Sequence, residues 1–144
     1  MISQLTSHAE HSDLVLTWLR STWDDPNDVF PGTLAPTRNC PGALLAISDG
    51  VPTGALTFRR HRTTWQVTNE LWINTVYVVP GQRGLGTGRK LIRSAVEHSI
   101  PQYTERLFVF TDVPTLYEPL GWKQIDYNAE CSSFTLGIER NAVV

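Results

Sequence analysis

Residues 78–92 read VVPGQRGLGTGRKLI and place four glycines and three basic residues in fifteen positions. An extended run of β-branched and aromatic residues precedes them. An amphipathic run follows, with Leu91, Ile92, Ala95 and Val96 on one helical face. The stretch therefore predicts a strand, a glycine-rich turn and a helix that starts near Gly86 or Gly88. Free N–H groups at a helix N-terminus, with the positive end of its dipole, attract anions. Glycine lets a phosphate approach the backbone without interference from a Cβ. Arg83, Arg89 and Lys90 add positive charge nearby.

Three phosphate motifs compete for this stretch. A Walker A loop, GxxxxGK[ST], fails because Thr87 stands where lysine is required when counting from Gly81. The dinucleotide fingerprint GxGxxG fails because its last glycine would fall on Arg89 or Leu91. What fits is R-x-x-G-x-G over Arg83, Gly84, Leu85, Gly86, Thr87 and Gly88. With "VYVVP" before it, this resembles the acyl-CoA-binding motif of the GNAT superfamily of N-acetyltransferases. A second segment, "TLYEPLGW" at Thr115–Trp122, resembles a later motif of the same superfamily. The likeness extends as pattern over nearly the whole chain, including the tryptophan-bearing first helix and the hairpin around Asp49-Gly50.

The resemblance implies an acetyl-CoA-dependent N-acetyltransferase that acts by direct attack of a primary amine, with acetyl-CoA as co-substrate and no metal. Arg83, Gly84, Leu85, Gly86, Thr87, Gly88 and Arg89 would hold the pyrophosphate. The backbone at Val76 and Val78 would pair with the pantetheine arm, and the Val78 amide would polarise the thioester oxygen. Tyr117 would return a proton to the departing thiolate; a phenol with an ordinary pKa near ~10 holds that proton at neutral pH. The base is less plain. Counting back by analogy places the family's strand glutamate near Trp72, and Glu70 lies on the expected face, together with Trp72, Asn74 and Val76, by the period of two. Glu70 is the candidate base, with His61 an alternative inside the basic run 59–62. Asp24, Asp25 and Asp28 form an acidic loop suited to a cationic acceptor. Trp23, Phe30, Trp65 and Trp72 are either acceptor-pocket or core aromatics. A non-catalytic acetyl-CoA-binding sensor or regulatory module remains the alternative function.

The rest of the chain predicts one domain over residues 1–144. A helix over 7–23 opens with Ser7 and Glu10 as a capping box. Residues 24–42 hold four prolines and two glycines and read as a loop. Asp49-Gly50 marks a hairpin. A long strand covers 63–79, a strand 106–111, a short helix ends at Gly121, and two strands close the chain at 123–128 and 132–140. The fold expected is α+β: a central mixed, mostly antiparallel β-sheet flanked by about four helices. At 41% apolar and 18% charged residues with formal net charge −2, the composition suits a globular domain and gives no general basic excess for nucleic acid. No run approaches the roughly 20 apolar residues of a membrane span, and the first residues lack a signal-peptide pattern. Cys40 and Cys131 then read as free thiols of a cytoplasmic protein. His8 and His11 read as surface residues. The partners expected are an amine-bearing small molecule or peptide and, as is common in the family, a second copy in a homodimer.

Overall fold

The computed structural model describes residues 1–22, 34–62, 66, 68–111, 113–127 and 132–137. Seven strands form one sheet: β1 (Ile2–Gln4), β2 (Leu44–Ser48), β3 (Val51–His61), β4 (Glu70–Val78), β5 (Arg106–Thr111), β6 (Lys123–Tyr127) and β7 (Ser132–Gly137). Their order is β1-β2-β3-β4-β5-β7-β6. β4 and β5 run parallel and the other pairs are antiparallel. The mixed, mostly antiparallel sheet expected from the sequence is thus present.

Two α-helices cover opposite faces. α1 (Ser12–Thr22) presents Val15 and Leu19, one turn apart and fully buried, to Leu45, Ile47 and Ala55. α2 (Thr87–Ser99) buries Leu91, Ile92 and Ala95 against Leu56, Phe58, Leu71 and Ile73. The Asp49-Gly50 hairpin forms as read, with both residues at positive φ (50° and 77°), the geometry that the right-handed strand twist demands of a two-residue turn.

Several expectations need correction. Among the described residues α1 and α2 are accompanied by short 3-10 segments, and Leu34 is also helical, a helix count a little below the about four expected. The Ser7–Glu10 box does not start α1. Those residues lie in a 3-10 segment, Leu5–His11, in which His8 is non-helical, and the helix begins at Ser12. Glu10 instead lies between His8 Nδ1 (3.9 Å) and His11 Nε2 (3.7 Å). The long strand is shorter at its start and begins at Glu70. The segment before Gly121 is two 3-10 turns, Pro114–Leu116 and Glu118–Leu120. Cys40 is a free thiol. Asp24, Asp25, Asp28, Trp23, Phe30, Trp65 and Cys131 lie outside the described residues.

Candidate active site

The site originates in an irregularity of β4. Thr57 pairs with Thr75 and Phe58 with Ile73, so Asn74 has no partner on β3 and forms a β-bulge. The bulge shifts the face on which the strand's side chains lie. Leu71 and Ile73 belong to the core under α2, and so do Val76 and Val78, whereas Tyr77 packs with the α1 core. Glu70, Trp72, Asn74 and Val76 therefore do not share a face, and the simple period of two does not hold across Asn74.

The bulge also ends the pairing with β5. Parallel partners run from Leu71↔Leu107 to Ile73↔Val109 and stop there, although both strands continue. Beyond Ile73 the two strands part. The Val79 amide donates to the Thr53 carbonyl at 2.9 Å, so Val79 and Thr53 form a hydrogen-bonded pair of the antiparallel ladder. By alternation the N–H and C=O groups of Val76 and Val78 point the other way, into the gap. A groove of about 470 Å³ occupies this gap, lined on β4 by Ile73–Val78, on β5 by Val109–Thr111, and by Val113, Leu116 and Tyr117.

The groove continues past Val78, Arg83, Gly88 and Leu116 into a second compartment of about 290 Å³ at the N-terminus of α2. Gly84 and Gly86 adopt the left-handed conformation (φ 81° and 86°), which a residue with a Cβ enters only with strain. Gly86 is the N-cap and offers no side-chain cap. The first intrahelical bond runs from the Lys90 amide to the Gly86 carbonyl. The N–H groups of Thr87, Gly88 and Arg89 thus lack helical acceptors and sit where the helix dipole is positive. Gly84, Gly86, Thr87, Gly88 and Arg89 all line this compartment, whereas Leu85 does not and is 66% exposed. A methyl group built on Gly88 would meet only Val78 Cγ2, at 3.8 Å. The glycine is thus not demanded by packing and leaves the compartment open. Arg83 donates from Nε to the Val78 carbonyl at 2.8 Å. Its remaining guanidinium donors are free among the described residues.

Tyr117 closes the other side of the groove. The 3-10 turns place it against Trp122 (edge-on, 5.4 Å) and Phe134 (stacked, 6.3 Å). The residue is 3% exposed yet lines the groove. Burial raises its pKa well above the ordinary phenol value, which keeps the hydroxyl protonated.

Glu70 lies elsewhere. It starts β4, opposite His61, and does not line the groove. Its carboxylate accepts from Thr68 Oγ1 at 3.0 Å and lies 3.7 Å from Arg106 Nη2. Six residues of strand, about 20 Å, separate it from Val76. His61 sits at the same end, its pKa lowered by burial and by Arg59. Among the described residues, no carboxylate or imidazole lines the groove. The sequence pattern puts Asn74 on the strand but carries no sign of its bulge, nor of Val109–Thr111 and Val113 as groove walls, because a bulge and a parting of strands leave no periodic signal. The only available hint was the asparagine in an otherwise β-branched and aromatic run.

A family model described as Acetyltransferase (GNAT) family matches residues 10–122. The chain belongs to the GNAT acetyltransferase family. Its GNAT fold is also that of an aminoglycoside 6'-N-acetyltransferase complexed with coenzyme A, at TM-score 0.74 and 14% identity over 97% of this chain and 98% of that one. The NatC complex bound to Gag peptide and CoA gives TM-score 0.70 at 17% identity, covering 96% and 98%. A ribosomal-protein-alanine N-acetyltransferase from Brucella melitensis gives 0.68 at 16%, covering 96% and 99%. At these identities the likeness is one of fold. No curated protein matches this GNAT chain in sequence.

Proposed function

We propose that this protein transfers the acetyl group of acetyl-CoA to a primary amine of a small molecule or peptide by direct attack. One observation carries the reading. A single continuous groove joins an unpaired strand edge, a helix N-terminus with free amides, and a protonated, buried tyrosine. The residues present fit an acyl-CoA: an extended arm with amide groups matches the Val76–Val78 edge, and a pyrophosphate matches the Gly84–Arg89 loop with the Arg83 guanidinium. The reading is also supported by the fold's other uses, since the aminoglycoside enzyme and the NatC complex are both described with CoA.

In the proposed reaction the thioester supplies an activated acyl carbon. The Val78 N–H, aimed into the gap, donates to the thioester oxygen as negative charge builds on it. The amine nitrogen forms the new bond to carbon, the C–S bond breaks, and Tyr117 gives its hydroxyl proton to the sulfur. The nitrogen gives up its proton to water in the open groove, and water in turn restores the phenol. Glu70 takes no direct part, because its carboxylate stands about 20 Å along the strand from Val76.

A second reading, a CoA-binding sensor, is favoured by the same lack of a base among the described groove residues. One experiment separates the two. Calorimetry measures acetyl-CoA binding, and release of free CoA thiol is then followed across polyamines, aminoglycosides, amino acids and peptide N-termini. Binding with thiol release for one amine class is expected. Binding without release across the panel identifies a sensor. No binding at millimolar acetyl-CoA rejects both.

A further inference from the structure

Arg83 is held from two sides. Its Nε is bonded to the Val78 carbonyl, and its guanidinium carbon lies 5.7 Å from the centroid of the Tyr77 ring. The same ring stacks on Trp18 of α1, with centroids 5.3 Å apart and planes at 28°. Tyr77 belongs to the α1 face of the sheet, while Arg83 lines both compartments of the groove at the α2 N-terminus. One aromatic ring therefore connects the donor-side loop with the helix on the opposite face.

We propose that Tyr77, backed by Trp18, is a positioning residue that fixes the Arg83 guanidinium at the anion compartment before the donor arrives. This rests on the acetyl-CoA reading above. An arginine side chain has many rotamers, and ordering it on binding opposes affinity. A planar guanidinium laid on an aromatic face is already confined, and the bond from Nε to Val78 removes a further rotation. What remains free is the outer edge of the fork, the part that meets phosphate oxygens in pairs. The phenol hydroxyl is not needed for this, only the ring.

A double-mutant cycle read by calorimetry with acetyl-CoA tests the proposal, using the full chain. Tyr77→Phe, which keeps the ring, binds as the wild type does. Tyr77→Leu, which keeps apolar bulk, binds about three- to tenfold more weakly. Arg83→Gln weakens binding at least as much, and Tyr77→Leu combined with Arg83→Gln is no weaker than Arg83→Gln alone, since Tyr77 acts through Arg83. A purely structural role gives losses that multiply in the double variant, and that result overturns the proposal, as does wild-type affinity in Tyr77→Leu. Thermal melts of each variant without ligand confirm folding. Where Tyr77→Leu does not melt cooperatively, Trp18→Leu takes its place in the cycle with the same expected pattern. Wild-type protein that fails to bind acetyl-CoA overturns the functional reading itself, a separate outcome.

Discussion

Tyr117 carries its proton because its ring is enclosed by Trp122 and Phe134 while its edge reaches the groove. Removing the hydroxyl leaves that enclosure intact. Tyr117→Phe should therefore lower turnover about 10²-fold, within the usual range for a general acid, while acetyl-CoA binds as before. Steady-state kinetics with calorimetry reads both; a parallel loss of affinity would assign Tyr117 to donor binding instead. Gly88 yields a prediction of mixed sign. It lies in the first turn of α2, where alanine is favoured over glycine by up to ~1 kcal/mol, and the added methyl meets nothing closer than 3.8 Å. It also projects into a region that lines both compartments. Gly88→Ala should melt no lower than wild type and bind acetyl-CoA at least tenfold more weakly, about 1.4 kcal/mol. At this scale the shape of the α2 N-terminus is legible in the sequence, because glycines at fixed offsets report backbone conformation directly. The relation of Glu70 to Val76 is not legible in the same way. Counting by twos assumes an unbroken pleat, and Asn74 breaks it.

Among the elements, β4 decides whether there is a site at all. It must pair with β3 along its length and leave β5 after Ile73. The bulge satisfies both demands, since an extra residue bends a strand and sharpens its twist. Deleting Asn74 should restore regular alternation: Ile73 would keep its place under α2, Thr75 its place beside Thr57, and Val76 its place under α2. β4 could then continue alongside β5 and close the gap. The expected protein folds, melts cooperatively at or above the wild-type temperature, and no longer binds acetyl-CoA. Circular dichroism melts and calorimetry check this; retained binding would show that the parting of the strands does not depend on the bulge. The elements themselves were largely legible. The Asp49-Gly50 turn, the α2 stripe and the continuous apolar run of β5 each carry a local signal that tertiary contacts reinforce. The start of α1 was not legible. A capping box at Ser7 competes with a 3-10 segment whose Leu5 is buried and whose Leu5 amide is bonded to the Ala43 carbonyl, a contact that local sequence cannot foresee.

Over the whole molecule, the sheet order shows where reading along the chain stops. The last strand, β7, inserts between β5 and β6, with Phe134 fully buried, while β6 takes the edge with an exposed Lys123 and Ile125. Polarity is compatible with that order, yet pairing between distant strands is set by the packing of both faces at once. Phe134 joins Tyr117, Trp122 and the residues of α2 in one core, so the phenol of the proposed acid is also part of the global fold. This ties stability to pH. Burial raises the Tyr117 pKa in the folded state, and the unfolded chain returns it to about 10. Below that value both states hold the proton and folding incurs no penalty from it. Above it the unfolded chain loses the proton first, so it binds fewer protons than the folded state and stability falls as pH rises. Thermal melts from pH 8 to 11 should show the wild type losing stability more steeply above pH 10 than Tyr117→Phe, which has no such proton to lose. The two curves should run parallel below pH 9. Equal slopes above pH 10 would mean that the Tyr117 hydroxyl is as well solvated in the folded protein as in the unfolded chain. Such a hydroxyl would no longer be the sheltered proton donor of the proposed reaction.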